Sequence, residues 1–277
     1  MKASAGGYVR ATDLRHALDL LASMNGAGRV LAGGQSLVAA MNMRLTEGDM
    51  LVDISRVAEL RGVTDEGDTI RIGALTRHAE IGTDPLVAQH APLLTEAVGQ
   101  IAHAAIRNRG TIGGSVAHAD PAAEFPACIL ALDATIIAER PSGRREIAAR
   151  DFFVEMFETT LEEDEILTAL SIPKAEPGER QVIEEVARRS GDYALAGLSL
   201  VRRNSGHRLV PFSVGPKPVL ATATMAALDS GDIDGAVRAL AGEIEPDSDT
   251  QASAAYRRHL TGVLLRRAMA RIEGASA

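Results

Sequence analysis

The stretch that decides the fold is residues 29–37, which read RVLAGGQSL. The apolar run 29–32 predicts a short strand, and residues 37–45 predict a helix. Between them, the paired glycines Gly33 and Gly34 permit positive φ and let the backbone approach a ligand closely. Successive amide N–H groups in such a turn can converge on an anion, and the helix that follows directs its positive end to the same place. This strand, turn and helix unit is therefore a candidate anion site.

A second glycine turn is predicted at residues 110–115, which read GTIGGS. The hydroxyls of Thr111 and Ser115 add donors there, so the two turns together could hold the two phosphates of a dinucleotide. The usual nucleotide signatures are absent from the sequence. Residues 26–28, GAG, precede their strand and lack the third glycine of a Rossmann fingerprint, and no Walker A sequence occurs. Because a double glycine after a strand is also typical of a plain tight turn, neither turn alone establishes a nucleotide site.

Further helices and strands are predicted on both sides of these turns. Thr12 is available as the N-cap of an amphipathic helix over residues 12–24. Pro92 stands at the first position of another helix, and Asp120 is expected to cap a third helix over residues 122–132. Short strands are predicted at residues 50–54, 70–74, 135–138 and 166–172.

Residues 174–179, KAEPGE, form the most linker-like stretch of the chain, because they are rich in charge, proline and glycine. We place a domain boundary there. One domain covers residues 1–175, with subdomains at about 1–57 and 58–175, and a second covers residues 176–277. In the second domain we expect an antiparallel sheet of strands at 181–188, 195–203 and 209–214, followed by helices. The last helix is predicted at residues 254–272, with Leu260, Val263, Leu264 and Ala268 on one face.

Composition limits the classes of function. Lys and Arg number 29 against 37 Asp and Glu, and the net charge of -8 argues against a nucleic-acid backbone as the main partner. No stretch approaches the roughly 18 apolar residues of a membrane span and no signal peptide is recognised, so we expect a cytoplasmic protein. The single cysteine, Cys128, is interpreted as a core residue because its neighbours are apolar. One cysteine cannot supply the thiolates of an iron–sulfur cluster, so any such cluster belongs to another chain.

Several polar residues have both a functional and a structural interpretation. His118 and Asp120 would ligate a metal only with a third ligand, which no recognisable spacing supplies, so a hydrogen-bonding role in a loop is favoured. His103, Arg107 and Arg109 precede the second glycine turn. They either assist phosphate binding or form a solvated helix end.

The two glycine segments resemble a known pair of motifs. Residues 32–37, AGGQSL, and residues 111–124, TIGGSVAHADPAAE, resemble the paired FAD motifs of the medium subunit of carbon monoxide dehydrogenase and related xanthine dehydrogenase-type molybdenum hydroxylases. An ordered set of matches is far more specific than one double glycine. Further matches cover nearly the whole chain in the family's order, at residues 8–10, 51–54, 71–76, 164–167, 191–194 and 214–218.

The resemblance implies an α+β protein with a vanillyl-alcohol-oxidase-type (PCMH-type) FAD-binding fold of two α/β subdomains, followed by a C-terminal domain with a three-stranded antiparallel sheet and helices. It also implies that the glycine segments embrace the diphosphate, that Glu124 bonds the sugar portion of the flavin, and that Tyr193 lies near the isoalloxazine ring. Ser115 and Glu185 depart from the asparagine and lysine that are common in relatives. The cofactor-binding residues so implied are Ala32, Gly33, Gly34, Gln35, Ser36, Leu37, Thr111, Gly113, Gly114, Ser115, His118, Asp120, Glu124, Leu167 and Tyr193.

The same resemblance implies an FAD-binding electron-transfer subunit of a heterotrimeric molybdenum hydroxylase. In such an enzyme a small subunit with 2Fe–2S clusters delivers electrons to FAD, which passes them to an external acceptor. A large molybdopterin subunit oxidises the substrate, and relatives suggest a dimer of heterotrimers. This chain then needs no catalytic residue and no metal ligand of its own. The substrate, whether carbon monoxide, a purine, another N-heterocycle or an aldehyde, is selected on the large subunit.

Two other functions remain open at this point. One is a self-sufficient FAD-dependent reductase on the same fold, which needs a proton donor of its own. The other is a non-enzymatic module that binds a nucleotide and stabilises a complex.

Overall fold

The computed structural model describes residues 6–46 and 48–274. Its amino-terminal part is a parallel sheet, because strands joined by helices return to the same end of the sheet. The strands β1 (Gly7–Arg10), β2 (Gly28–Leu31) and β3 (Met50–Asp53) lie in the order β1-β3-β2 and are joined by α1 (Leu14–Ser23) and α2 (Leu37–Asn42). Ala17 and Leu18 of α1 share a buried core with Val52 of β3. The turn at residues 33–36 therefore leaves the sheet at the carboxyl edge of its strands.

The central part is an antiparallel sheet of five strands, and a long run of helices separates its second and third strands along the chain. The strands and helices are β4 (Val63–Asp65), β5 (Thr69–Gly73), α3 (His78–Ile81), α4 (Pro85–His90), α5 (Pro92–Gln100), α6 (Ala104–Arg107), α7 (Ile112–His118), α8 (Glu124–Ala131), β6 (Thr135–Arg140), β7 (Gly143–Ala148), β8 (Phe153–Glu155), β9 (Glu158–Thr159) and β10 (Ile166–Pro173). The strands lie in the order β4-β5-β10-β6-β7, and α8 is buried at every position. The short strands β8 and β9 pair with each other.

The carboxyl-terminal part is the predicted three-stranded antiparallel sheet covered by helices. It consists of β11 (Arg180–Ala187), β12 (Ala194–Arg203) and β13 (Gly206–Phe212), followed by α9 (Thr222–Asp229), α10 (Ile233–Glu243) and α11 (Ala254–Glu273). On the expected face of α11, Leu260, Leu264 and Ala268 are buried, whereas Val263 is half-buried. The α+β class and the carboxyl-terminal antiparallel sheet are confirmed. No helix among the described residues is long and apolar enough to cross a membrane.

The sequence placed several helix boundaries incorrectly. The N-cap of α1 is Asp13, whose carboxylate accepts from the amide of His16 at 2.8 Å, and Thr12 instead bonds the Asp13 side chain. Asp120 does not cap a helix either. Its carboxylate closes a turn by accepting from Ala122 N at 2.9 Å, and α8 begins only at Glu124.

The second glycine segment is a helix, where a turn was predicted. The hydroxyl of Thr111 accepts from Gly114 N at 3.2 Å and so caps α7. Gly113 lies against the backbone of Ala74, where an added Cβ would be 2.8 Å from the Ala74 Cα. This glycine therefore serves close packing inside the protein, which the sequence pattern could not distinguish from a ligand-binding turn.

Candidate functional site

The first glycine turn presents a row of free backbone donors. Gly34 adopts φ +71°, a left-handed conformation that favours glycine. The Gln35 amide nitrogen Nε2 donates to the carbonyl of Gly33 at 3.0 Å and so braces the turn. Within residues 6–46 and 48–274, the amides of residues 33–37 have no protein acceptor. Four of these residues are half-buried and Ser36 is exposed. Such a row of free backbone donors is able to bind a ligand that accepts hydrogen bonds.

The second segment packs directly against this turn. An added Cβ at Gly33 would overlap the carbonyl oxygen of Arg109, and one at Gly114 would lie 3.8 Å from the Cβ of Ala32. The two predicted segments therefore meet, as expected for parts of one site. Their contact depends on glycine at position 33, because the backbones touch there.

The amides of the second segment are already engaged, contrary to the expectation that both segments would offer free amides. Ile112 N donates to Thr76 O at 3.1 Å, Gly113 N donates to Ala74 O at 2.9 Å, and Gly114 N donates to the Thr111 hydroxyl. These bonds hold α7 to the end of β5. The second segment therefore has side chains such as Ser115 to offer a ligand, whereas the first turn has free amides.

A buried histidine that the sequence did not single out supports the second segment. His78 packs beneath Gly110, where an added Cβ would be 3.0 Å from its Cε1, and its ring meets that of Phe125 edge-on at 5.0 Å. Burial lowers the pKa of His78 to about 4, so the imidazole is neutral. Its only sequence signal is a position close to the end of a strand.

The basic residues before α7 have separate roles. Arg107 is structural, because its guanidinium donates to Ile101 O at 2.8 Å and to Ala102 O at 2.7 Å. His103 is exposed at the start of α6. Arg109 lies on the wall of a cleft beside Gly33, so of these three residues it is the one placed next to the glycine turn.

Three carboxyl groups, which we call the acidic group, lie near one another beyond α7: those of Asp120, Glu124 and Glu185. Glu124 is 8% exposed, and burial, with the neighbouring charge of Glu185, raises its pKa to about 8. Burial raises the pKa of Glu185 to about 7, and its Oε2 has no hydrogen-bond partner in the described part of the chain. Both side chains therefore carry a proton through much of the neutral range. The charge of Asp120 acts on Glu124 as well.

Tyr193, in the loop before β12, lies near Asp120 and Glu124. Its ring is largely exposed, at 64%. Desolvation of its hydroxyl, together with the charge and hydrogen bond of Asp120, raises the pKa of Tyr193 to about 12. The structure thus brings Tyr193 close to Asp120 and Glu124, which are about 70 residues away from it in the sequence. An exposed aromatic ring is able to stack on a planar ligand.

The remaining predicted residues surround α7. His118 packs its ring against Phe157 with 5.0 Å between centroids, and burial lowers the pKa of His118. Leu167 is 5% exposed on β10, a strand that packs against α7. Cys128 is a fully buried core residue, as predicted, 3.5 Å from the Ser199 hydroxyl. Among the residues that the structure describes, no group of three or more potential ligands is arranged around a metal site.

Comparison with known proteins supports the resemblance in both halves of the chain. Residues 2–175 match the model of the FAD binding domain in molybdopterin dehydrogenase, and residues 181–272 match that of the CO dehydrogenase flavoprotein C-terminal domain. The chain is 36% identical to the 6-hydroxypseudooxynicotine dehydrogenase complex subunit alpha of Paenarthrobacter nicotinovorans, over 98% of this chain and 95% of the relative. It is 34% identical to the carbon monoxide dehydrogenase medium chain of Hydrogenophaga pseudoflava, over 91% of this chain and 92% of the relative.

A solved structure agrees with these sequence matches. Carbon monoxide dehydrogenase from Hydrogenophaga pseudoflava, in a form lacking the Mo-pyranopterin moiety, superposes with a TM-score of 0.95 at 34% identity, and the match covers 100% of both chains. The predicted family, the PCMH-type fold and FAD as the cofactor are thereby confirmed. The chain belongs to the family of FAD-binding medium subunits of carbon monoxide dehydrogenase-type molybdenum hydroxylases and is an oxidoreductase subunit.

Proposed function

We propose that this chain holds FAD at the junction of its two glycine segments and passes electrons from the iron–sulfur clusters of a small subunit to an external acceptor. The observation that carries the proposal is the row of free amides at residues 33–37 beside Thr111. Its donors suit the two phosphates of a dinucleotide, because successive backbone N–H groups can bind an anion without a lysine. The residues present therefore fit FAD.

Each part of the site has a task in this proposal. The amides of residues 33–37 bind the diphosphate. The small residues Ala32 and Gly114 leave space for it where the two segments meet. The hydroxyls of Thr111 and Ser115 add side-chain contacts. Around the flavin's sugar and ring we place His118, Asp120, Glu124, Leu167 and Tyr193. Bound FAD supplies the change between one-electron and two-electron transfer, and the protein supplies position and electrostatics.

The partners proposed are a large molybdopterin subunit, where the substrate is oxidised, and the small iron–sulfur subunit, in a dimer of heterotrimers. The names of the relatives support a multi-subunit enzyme, since they are a medium chain and a subunit of a dehydrogenase complex. The cytoplasmic location expected from the sequence stays a prediction.

A self-sufficient flavin-dependent reductase is the second candidate, because the structure contains the proton donors that such an enzyme needs. Glu124 and Glu185 are neighbouring acids with pKa values of about 8 and about 7, and Tyr193 lies near Glu124. General acids work best when their pKa lies near the operating pH. The two candidates differ in whether flavin reduction depends on partner chains.

The first experiment is an absorbance spectrum with cofactor analysis of the chain purified alone and with its co-purifying partners. The electron-transfer function predicts FAD on this chain in both preparations, molybdenum and iron only with the partners, and flavin reduction by substrate only when the partners are present. Reduction of the flavin in the isolated chain by an organic substrate would favour the second candidate. Absence of flavin in both preparations would contradict both.

A variant pair tests the contact of the second segment with the cofactor. Ser115→Ala should weaken FAD binding about fivefold, the usual effect of losing one hydrogen bond. Ser142→Ala is the matched control, because Ser142 is exposed in the turn between β6 and β7. Equal FAD affinity in both variants would remove Ser115 from the site.

A further inference from the structure

An arginine-rich cleft lies beside the glycine segments. It has a volume of about 410 Å³, and its walls are formed by residues on four separate segments of the chain. Four of them are Arg56, Arg61, Arg77 and Arg109, which we call the arginine cleft. Ala32, Gly33 and Thr111 form the side that it shares with the glycine segments. Glu124, Leu167 and Tyr193 are not among its lining residues, so the cleft is distinct from the acidic group.

The charge in this cleft is not balanced by the protein. None of the lining residues is acidic. Across residues 6–46 and 48–274, no carboxylate lies within 4.0 Å of any of the four guanidinium groups. Elsewhere arginines are commonly paired, as in the contacts of Arg145 with Glu165 and of Arg271 with Glu96. Four like charges around one concave space, in a chain of net charge -8, indicate a site for an anion.

The walls of the cleft are held rigidly. Arg61 Nη2 donates to Ser55 O at 2.8 Å, which fixes one wall. The hydroxyl of Thr76 donates to Gly62 O at 3.1 Å, and this threonine is buried. Arg77 and Thr111 form an antiparallel bridge, so the segments that carry Arg77 and Arg109 are joined. The arginine-bearing segments therefore keep their spacing without a ligand, which lowers the entropic cost of binding one.

We propose that the arginine cleft binds a phosphate-bearing small molecule. Guanidinium groups recognise phosphate oxygens through paired, charge-assisted hydrogen bonds, and Ser55 and Asn108 add neutral donors on the wall. The ligand is a second molecule that binds beside FAD, because the proposed function already assigns the diphosphate of FAD to the free amides of residues 33–37. In that respect the inference rests on the proposed function.

The test measures binding of inorganic pyrophosphate and of ADP to the full chain by calorimetry, with its flavin and after flavin removal. The variant is Arg56→Gln with Arg109→Gln, since both side chains are exposed and have no carboxylate partner among the described residues. The control is Arg258→Gln with Arg267→Gln on α11, which changes the net charge equally at exposed positions. A third variant, Arg56→Lys with Arg109→Lys, retains the charge and checks for loss of folding.

We expect the cleft variant to bind pyrophosphate at least about tenfold more weakly than the control variant, as two lost charge-assisted contacts imply. The flavin-loaded chain should bind pyrophosphate, and the cleft variant should retain FAD. If FAD affinity falls in parallel and only the flavin-free chain binds pyrophosphate, the arginines belong to the cofactor site and the proposal is overturned.

Equal pyrophosphate, ADP and FAD affinities in the cleft and control variants would overturn the proposal. It would also be overturned if the cleft variant changed only the association with partner chains, because the arginines would then serve a protein surface. A wild-type chain that holds no flavin would refute the proposed function, while its pyrophosphate affinity would still decide the question of the cleft.

Discussion

At the scale of single residues, the position of Gly33 determines how closely the two glycine segments approach each other. Its missing side chain allows the carbonyl of Arg109 to lie against it, and Gly110 follows directly behind. The free amides of the turn therefore lie next to Thr111. A larger side chain at position 33 would overlap the backbone of Arg109 and push the two segments apart, whether or not a ligand is bound.

Gly33→Ala should destabilise the chain by about 1–3 kcal/mol, the usual cost of overpacking, and should release FAD at a lower temperature. Gly99→Ala is the control, because Gly99 is exposed in α5 and an added Cβ there meets nothing within 4 Å. Alanine at that helical position should be neutral or stabilise by up to about 1 kcal/mol. Thermal unfolding followed by flavin fluorescence measures both effects. A Gly33→Ala protein as stable as the Gly99→Ala protein would refute the close contact.

The pKa of Glu124 makes stability depend on pH. Because the folded-state value of about 8 lies above the ordinary 4.5, the unfolded chain releases this proton first as the pH rises. The stability that this carboxyl contributes is therefore complete below about pH 4.5 and is lost as the pH rises to about 8. Glu185, with a pKa of about 7, acts in the same direction.

For the flavin-free chain, we expect the free energy of unfolding to fall between pH 5 and pH 8 by on the order of 3 kcal/mol through Glu124. Glu124→Gln should reduce this fall, because glutamine resembles the protonated acid at every pH. Urea denaturation at a series of pH values measures it. Glu155→Gln, at an exposed position, should leave the pH dependence as it is in the wild type. A Glu124→Gln profile identical to that of the wild type would show that Glu124 is not buried as a neutral acid.

At the scale of elements, the start of α1 depends on which polar side chain reaches its free amides. Asp13 and Thr12 are adjacent and both belong to the residue types that cap helices. The carboxylate of Asp13 reaches His16 N, whereas the hydroxyl of Thr12 is bonded to the side chains of Asp13 and His16. Only one of the two therefore satisfies a backbone donor of α1.

Asp13→Ala should lower the free energy of unfolding by about 1 kcal/mol, the usual cost of a lost N-cap. Thr12→Ala should cost clearly less, because no backbone bond of α1 is lost. Both side chains are exposed, so the pair differs mainly in capping. Urea denaturation of the two variants measures the difference. A larger loss for Thr12→Ala would restore Thr12 as the cap.

At the scale of the whole molecule, the carboxyl-terminal sheet joins two hydrophobic cores. Val201 and Val210 belong to the core that contains Phe125 of α8, whereas Leu198 and Leu200 belong to the core under α11. Arginines on this sheet also bond the end of α8. Arg203 Nη2 donates to Leu132 O at 2.9 Å, and Arg208 donates to the carbonyls of Ala131 and Leu130, each at 2.9 Å.

Arg208→Met should lower the free energy of unfolding by about 1–3 kcal/mol, because it leaves the buried carbonyl of Ala131 without a donor and leaves that of Leu130 with only the amide of Asp133. Arg180→Met is the control, since Arg180 is exposed at the start of β11. Chemical denaturation compares them. Equal stability of the two variants would mean that the sheet and α8 are held together by apolar contact alone.

The division into domains at residues 174–179, with subdomains near residue 57, is a proposal about organisation. The exposed residues 176–178 support it. Brief trypsin treatment should cut first after Lys174 or Arg180, and the two fragments should stay associated in gel filtration, because Ile183 and Val201 share a core with Phe125. First cuts elsewhere in the chain would contradict the boundary.

Much of the fold follows from local patterns. Apolar periodicity correctly predicted the strands that begin at residues 28, 50, 69 and 166. Proline correctly predicted the start of the helix at Pro92. The second glycine segment was misread because a double glycine has the same appearance whether it opens a turn or lets a helix pack on Ala74. Asp120 was misread as a cap because its preference for turns and for caps has one chemical origin, a short acceptor close to the backbone.

The sequence by itself determined the family and the two glycine segments, and it supplied the acidic and aromatic residues that we propose lie around the cofactor, because each depends on residue type and order. Only the tertiary structure decided which amides are free, that Glu124 lies near Glu185, and that four arginines from separate segments line one cleft. The physical reason is that hydrogen-bond satisfaction, desolvation and local charge depend on neighbours far along the chain. Such neighbours are defined only once the sheets and helices have packed together.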